Sequence, residues 1–413
     1  MDLIDLSFVL PCLNEERTVE RCIMDCVAAC GRLGIQYEII VADNGSSDRS
    51  REIALASGAR VISVSRLGYG SALQEGILAA RGTYVLMGDS DLSYDFGEMP
   101  RFLDKLREGF DLVMGCRIGR GGGVIERGAM PFLHRWLGNP GLSWLGRVLF
   151  RNNIIDFHCG IRGFRRQAIL ELGLNTAGME FASEMIVKAS LAKLRITQVP
   201  VTLRPDGRGR RPHLRTWRDG WRHLRFMLLH APRWLFMYPG LFMLLVATVC
   251  FGLLLRGPIT VAGTRFDTNT LLVCAVGMMA GFQLLLLGLF SEVFTGVTGL
   301  LPSSRLATRI LHIYPFEKGI LLGGALVLAG AVCLVLALLK WKNTGFGDLT
   351  YSDTLRLTIP SVTGMSLGIQ IMFGGFLLAV LGLGEGRFEN SRPADTAAHL
   401  AKKRSEGTQA QVD

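Results

Sequence analysis

Four stretches of this chain contain no charged residue and are each long enough to cross a bilayer: 234–255, 271–290, 319–339 and 359–383. A hydrocarbon core about 30 Å thick takes ~20 residues of helix, and inside it the backbone must satisfy its own hydrogen bonds. A helix is the form such stretches can take. Mean hydropathy of +0.32 and 49% hydrophobic residues over 413 positions point the same way. Pro360 and the pair Gly374-Gly375 interrupt the fourth stretch, and both residue types are tolerated within membrane helices. Soluble chemistry is therefore confined to the first 230 or so residues, because the segment 385–413 is polar and is expected to be disordered.

Charge sets the expected topology. The net charge of +10 is concentrated between Arg204 and Arg233, where nine arginines stand against Asp206 and Asp219. Such a run can bind nucleic acid, but this one abuts the first apolar stretch. Within 214–233, Leu214, Trp217, Trp221, Leu224 and Leu228 follow helical spacing, with Arg215, Arg218, Arg222 and Arg225 on an adjoining face. The pattern predicts a helix in the headgroup layer, so the partner is a lipid bilayer and not nucleic acid. The positive-inside rule then expects residues 1–213 and the tail in the cytosol, with four spans between. The loops support this weakly: 256–270 and 340–358 carry five basic residues together and 291–318 carries three. No n-region, apolar core and cleavage site open the chain, which predicts no signal peptide. Among nine cysteines, Cys22, Cys26 and Cys30 interleave with Val19, Ile23 and Val27 on one helical stripe, which predicts core packing by free thiols in a reducing compartment.

Residues 6–116 alternate between short β-rich runs (6–10, 38–42, 60–64, 84–87 and 111–114) and helical patterns (15–33, 48–57, 71–81 and 98–108). Alternation of this kind predicts an α/β domain with a mostly parallel, doubly wound sheet whose ligands bind beyond the carboxyl ends of the strands. Polar clusters stand at those ends: Pro11-Cys-Leu-Asn-Glu-Glu16, Asp43-Asn-Gly-Ser-Ser-Asp48 and Asp89-Ser-Asp91. Strand alternation would put Asp89 and Asp91 on one side, where like charges repel unless they share a proton or hold a cation. Hard carboxylate oxygens suit Mg²⁺ or Mn²⁺. A solvated turn capped by Asp89 is the plain alternative. An EF-hand is excluded, because Tyr94 and Pro100 stand where its glycine and glutamate belong.

The series Pro11-x-x-Asn-Glu, Asp43-Asn-Gly-Ser-Ser-Asp, Gly68-Tyr-Gly-Ser-Ala72, Gly88-Asp-Ser-Asp91 and Gly115-Cys-Arg117 resembles the family-two glycosyltransferases with the GT-A (Rossmann-like) fold. More narrowly it resembles the polyprenyl-phosphate sugar synthases, such as dolichyl-phosphate mannose and glucose synthases, over about 1–233. Asp156-Phe-His-Cys-Gly-Ile-Arg-Gly-Phe-Arg165 and Glu180-Phe-Ala-Ser-Glu184 belong to the same likeness. The resemblance implies transfer of a hexose from a nucleotide-diphosphate sugar, of the UDP-glucose or GDP-mannose type, to a polyprenyl phosphate. It implies that Pro11, Asn14, Glu15 and Asp43 surround the base and ribose, with Arg66 and Gly70 further candidates for the nucleotide. Asp89 and Asp91 would hold Mg²⁺ or Mn²⁺, with Ser93 a third ligand or water holder. Arg117 would bind the acceptor phosphate together with Arg135 and Asn139. Arg135 could instead snorkel at a membrane surface beside Leu133, Trp136 and Leu137. Asp156 and Glu184 are expected to organise loops, Glu184 being the next candidate for a base, and the pair His158-Cys159 is expected to be structural.

Three departures matter. Asn44 and Leu92 stand where relatives often carry acids, and Asp206-Gly-Arg-Gly-Arg-Arg-Pro212 replaces the usual Gly-x-Ser-Lys loop, so that Arg208 becomes the candidate grip on the donor phosphates. A metal held at Asp89 and Asp91 would stabilise charge growing on the leaving diphosphate. A phosphate acceptor, already anionic, needs orientation and no general base. Rival readings remain. A haloacid-dehalogenase-type phosphatase shares Asp89-x-Asp-x-Ser93, but its motif follows the first strand and here three strands precede it. A processive polysaccharide synthase should carry a Gln-x-x-Arg-Trp motif, which the chain lacks. Transfer to a lipid hydroxyl and a nucleotide-sensing membrane transporter are the others, the last with almost no ionisable residue in its spans. Self-association of the chain stays open.

Overall fold

The computed structural model describes residues 4–209, 216–298, 316–347 and 351–382. Leu214, the segment 299–315 and the tail 385–413 lie outside the described residues. The chain divides into two compact units, 1–231 and 232–413, and the basic helix falls within the first.

In the first unit the predicted alternation is present: β1 (Leu6–Cys12), α1 (Val19–Gly31), β2 (Tyr37–Asp43), α2 (Ser50–Ala56), β3 (Arg60–Ser63), α3 (Tyr69–Ala79), β4 (Tyr84–Met87), α4 (Met99–Arg107) and β5 (Leu112–Cys116). Then follow β6 (Val124–Ile125), α5 (Asn139–Phe150), β7 (Arg162–Arg165), α6 (Arg166–Leu170), α7 (Phe181–Leu191), β8 (Ile196–Pro200), β9 (Thr202–Leu203) and α8 (Thr216–Leu229). Seven strands form one sheet in the order β3-β2-β1-β4-β7-β5-β8, all parallel to their neighbours except β7, which runs antiparallel between β4 and β5.

Period-two alternation splits the core between the two faces of the sheet. Phe8 and Leu10 pack with Cys22, Cys26, Phe96 and Phe102 beneath α1 and α4, while Val9 packs with Leu73, Phe157, Phe181 and Met227 on the other face. Cys22, Cys26 and Cys30 are buried free thiols on α1, as their spacing predicts. Burial pushes the Cys22 and Cys30 thiols up to about 12, which makes them packing groups and not nucleophiles. Helix α8 corrects part of the amphipathic reading. Met227 and His223 face the protein, Trp221 is exposed, and Leu224 and Leu228 are half-buried. Its arginines Arg218, Arg222 and Arg225 are exposed.

The second unit holds α9 (Tyr238–Arg256), the hairpin β10 (Ile259–Val261) and β11 (Thr264–Phe266), α10 (Thr268–Val297), α11 (Phe316–Asn343) and α12 (Tyr351–Gly382). Among the described residues, four helices are long and apolar enough to span a membrane: Arg233–Arg256, Thr268–Val297, Glu317–Asn343 and Thr354–Leu381. Small residues let them approach closely, as membrane helices require. Gly240 of α9 lies against Gly281 of α10, and Ser361 Oγ of α12 donates to Gly330 O of α11 at 2.8 Å. Helix α10 outruns the stretch 271–290 and takes in Glu292, which the sequence reading leaves in a loop. There Arg233 Nε and Nη2 donate to its carboxylate.

Candidate active site

The carboxyl ends of β1, β2 and β4 meet as predicted. Past β1, Asn14 takes a left-handed conformation (φ +59°) and its Oδ1 accepts from Ser47 N at 2.8 Å, while its own N donates to Ser46 Oγ at 2.9 Å. Glu15 is buried; its N donates to Ser50 Oγ at 2.7 Å and its Oε2 accepts from Thr18 Oγ1 at 3.1 Å. Past β2, Asp43 is buried with Oδ1 accepting from Ser46 N at 3.1 Å and Oδ2 3.7 Å from Arg51 Nη1. Asn44 has a use for both of its amide ends. Its Nδ2 donates to Arg66 O at 2.9 Å and its Oδ1 accepts from Gly68 N at 2.6 Å, fixing the loop before α3. The Arg66 side chain is exposed and donates to Asn175 O at 3.4 Å.

Asp89 and Asp91 are not oriented by strand alternation, because β4 ends at Met87 and the pair lies in the loop beyond it. Three contacts shape that loop. Ser90 Oγ donates to Pro11 O at 2.6 Å, Ser93 N donates to Asp91 Oδ1 at 3.0 Å, and Leu92 turns left-handed at φ +67°. Tyr69 Oη donates to Asp89 Oδ1 at 2.9 Å. Burial, then the charge of Asp91, raises the Asp89 carboxyl to about 6 against the pull of Tyr69, Arg208 and Arg117. Arg208 reaches the same loop, with Nη2 2.9 Å from Asp91 Oδ2 and Nε 2.8 Å from Glu15 Oε1. A cleft of about 240 Å³ opens beside it, lined by Asn14, Glu15, Glu16, Arg17, Asp48 and Arg208.

Two residues are more constrained than the sequence suggests. Gly70 was a nucleotide candidate, but its N donates to Ala177 O at 2.8 Å, and a Cβ there would collide with Thr176 O and come 2.7 Å from Phe181 Cβ. The glycine serves close packing of loop 174–178. Arg117 is only 7% exposed, and Asp156 holds it by Nε at 2.7 Å, Nη2 at 2.8 Å and backbone N at 3.0 Å. Arg117 and Asp156 therefore act as one unit. Glu184 is also engaged: it accepts from Asn175 N, Thr176 N and Thr176 Oγ1, and pairs with Lys188 Nζ at 2.8 Å. Arg135 lies in a π-helical turn, His134–Gly138, with its guanidinium 5.7 Å from the Trp136 ring centroid, and Asn139 Nδ2 donates to Met130 Sδ. Around Arg135 the side chains of Phe132, Leu133, Trp136 and Leu137 are all exposed.

Sequence reasoning gave no role to Tyr69, Tyr94 or Arg162. Tyr69 was visible as an aromatic between two glycines. Tyr94 Oη accepts from Gly160 N at 2.8 Å, and a Cβ at Gly160 would stand 2.7 Å from Asp89 Oδ2. Arg162 is fully buried in β7 and donates to the carbonyls of Cys159 and Ala182, so it holds the loop carrying Asp156. Its place inside the stretch Asp156-Phe-His-Cys-Gly-Ile-Arg-Gly-Phe-Arg165 is the one signal that could have marked it. In the pair His158-Cys159, read from sequence as structural, His158 Nε2 lies 3.5 Å from Ser183 Oγ, which lies 2.8 Å from His223 Nδ1.

A sheet of this order, with acidic clusters at its carboxyl edge and an apolar helical unit after it, defines a membrane glycosyltransferase of the GT-A fold. The chain belongs to glycosyltransferase family 2: residues 7–173 match the model described as Glycosyl transferase family 2, and residues 289–382 that described as its C-terminal transmembrane region. The low-salt glycan biosynthesis hexosyltransferase Agl6 of Haloferax volcanii is 37% identical over 379 residues, 91% of this chain and 89% of that protein. A dolichyl-phosphate hexose transferase of the same organism is 30% identical over 200 residues, 48% of this chain and 83% of that protein. Among solved structures, glucosyl-3-phosphoglycerate synthase from Mycobacterium tuberculosis, in complex with Mn²⁺, UDP-glucose and phosphoglyceric acid, is similar at 24% identity and TM-score 0.45, over 55% of this chain and 80% of that one.

Proposed function

We propose that this enzyme transfers a hexose from a nucleoside-diphosphate sugar to a polyprenyl phosphate at the cytosolic face of a membrane, with inversion at the sugar carbon. One observation carries the acceptor reading: the two acids that family motifs offer as a base for a hydroxyl acceptor are already committed. Asp156 is held by Arg117, and Glu184 by Asn175, Thr176 and Lys188. The charge and hydrogen bonds of these partners outweigh burial and hold both carboxyls below their ordinary range, which makes them poor bases. A phosphate acceptor needs none. It needs cations and a lipid-facing approach, and Arg135 stands among exposed Phe132, Leu133, Trp136 and Leu137. The exposed Trp221, Arg218, Arg222 and Arg225 of α8 support its place in the headgroup layer.

The donor set at Asp89 and Asp91 fits a divalent ion. Two carboxylates completed by diphosphate oxygens are the usual provision for Mg²⁺ or Mn²⁺, and Asp89 is buried beside the charge of Asp91, which together raise its carboxyl. Such an ion would act as a Lewis acid on the leaving diphosphate. Tyr69 orients Asp89, Ser93 N orients Asp91, and Arg208 is within reach of the same charge. Asn14, Glu15 and Asp43 line the nucleotide side. The test is incubation of the purified full-length protein with radiolabelled nucleotide hexoses and either a short-chain polyprenyl phosphate or the matching polyprenol. Label should enter the phosphate lipid alone; labelling of the polyprenol instead would refute the acceptor reading.

A further inference from the structure

The segment carrying Arg208 is tied down. Arg204 N donates to Ser93 O at 2.9 Å and Gly207 N to Asp91 O at 2.8 Å, so residues 204–207 run along 91–93. Gly207 lies where a Cβ would come within 2.9 Å of Leu92 Cδ1, which keeps the two segments close. This pairing delivers one guanidinium to two carboxylates. Nη2 is 2.9 Å from Asp91 Oδ2, and Nε is 2.8 Å from Glu15 Oε1, although the Nε–H does not point at that oxygen. All three side chains are enclosed, at 14%, 8% and 4% exposure for Arg208, Asp91 and Glu15.

A guanidinium and a divalent ion bonded to the same carboxylate oxygen compete for its lone pairs, and two cations that close repel strongly in a weakly solvated site. We propose that Arg208 is a counter-cation latch on Asp91: it leaves that carboxylate when a divalent ion arrives with the donor, and takes the diphosphate oxygens as its new partner. The planar fork of arginine pairs equally well with carboxylate and phosphate, so the exchange trades one charge-assisted contact for another. Metal and nucleoside diphosphate then enter together, and the metal alone binds poorly because it must displace the latch without offering Arg208 anything in return. This inference rests on the metal and donor reading above.

The test is Mn²⁺ binding to the full-length protein, followed by loss of the free-ion electron paramagnetic resonance signal, with and without UDP or GDP. Wild type should bind Mn²⁺ far better with nucleotide than without. Arg208→Gln should bind Mn²⁺ alone about 10-fold tighter than wild type, the order expected when a charged hydrogen-bonded competitor is removed. Arg208→Lys, which keeps charge but loses the fork, should fall between the two. Arg204→Gln is the control, since it removes the same charge from a neighbour whose Nη2 lies 2.7 Å from Asp95 and not on Asp91; its Mn²⁺ affinity should match wild type. An Arg208→Gln affinity no higher than wild type, or an equal gain in Arg204→Gln, overturns the latch while wild-type nucleotide-dependent binding leaves the metal reading standing. Wild type that binds no Mn²⁺ even with nucleotide refutes the metal reading and the latch with it.

Discussion

Replacing Asp156 with alanine strands the Arg117 guanidinium in a site that leaves it 7% exposed. The carboxylate is fully buried and accepts four hydrogen bonds, three from Arg117 N, Nε and Nη2 and a longer one from His158 N at 3.4 Å, so its loss leaves four donors and one charge unmatched. Removing one partner of a buried pair costs about 3–5 kcal/mol. In a unit of this size each kcal/mol displaces the melting temperature by about 2–4 °C, which gives a fall of roughly 6–20 °C. Thermal unfolding of the full-length protein in detergent measures it. The double variant Arg117→Met with Asp156→Leu removes both charges and should recover most of that loss, because the desolvation penalty disappears with the pair. Its activity then isolates the role of Arg117. If the arginine positions the acceptor phosphate, the double variant should bind nucleotide normally and transfer sugar on the order of 10²-fold more slowly, equivalent to ~3 kcal/mol of lost positioning. Melting of Asp156→Ala within ~2 °C of wild type, against the ~3–5 kcal/mol argument, would refute the energetic reasoning. Full transfer by the double variant would remove Arg117 from the acceptor site. The pH dependence has a definite sign. Burial pushes the Asp156 carboxyl up, but the charge and hydrogen bonds of Arg117 win and hold it below its ordinary value. The stabilisation is therefore complete above the unfolded value near 3.9 and is lost as pH falls through the lower folded value. The melting gap between wild type and Asp156→Asn should stay level above about pH 5 and close only in acid.

Tyr69→Phe removes the donor 2.9 Å from Asp89 Oδ1 and should slow transfer about 10-fold, the worth of one hydrogen bond to a charged group, with melting unchanged; an unaltered rate would show that Tyr69 does not orient Asp89. Gly70→Ala should destabilise by roughly 1–3 kcal/mol through overpacking against loop 174–178. If close packing is the glycine's role, the folded fraction keeps donor affinity; loss of nucleotide binding at full stability would show instead that Gly70 serves the donor. Chelation should abolish transfer and added Mn²⁺ or Mg²⁺ restore it, whereas a full rate in excess chelator would exclude the metal.

Strand β8, which pairs parallel to β5, was missed, but β1 to β5 were readable because each contains a short β-rich run set between helical patterns. The antiparallel strand was not. Arg162-Gly-Phe-Arg165 has two arginines and a glycine in four positions, and it is a strand only because β4 and β5 flank it and because Arg162 finds carbonyls at Cys159 and Ala182. Those partners come from a loop and a distant helix, and no local pattern encodes them. Extending strand periodicity into the Asp89-Ser-Asp91 loop failed for a related reason. The backbone leaves the strand at Met87, and contacts from Pro11, Tyr69 and Arg208 orient the carboxylates instead.

Residue type and spacing located the strand-end edge where the acidic clusters meet, but they did not reveal which charges the fold itself engages. Asp156, Glu184, Asp89 and Asp91 are all acids in family motifs, and from sequence each could bind, catalyse or brace. Their partners separate them. Asp156 and Glu184 are each enclosed by three or more donors on the chain itself, so their charge is spent on holding Arg117 and loop 174–178. Asp89 accepts from a neutral phenol, and its raised protonation range records first its burial and then the excess negative charge of the carboxylate beside it. A fold can carry such an excess when its substrate brings the balancing charge. For a donor whose diphosphate is itself negative, that charge has to come from cations that can reach both sides of the gap between carboxylate and phosphate. Arg208 stands at one side of it, on Asp91.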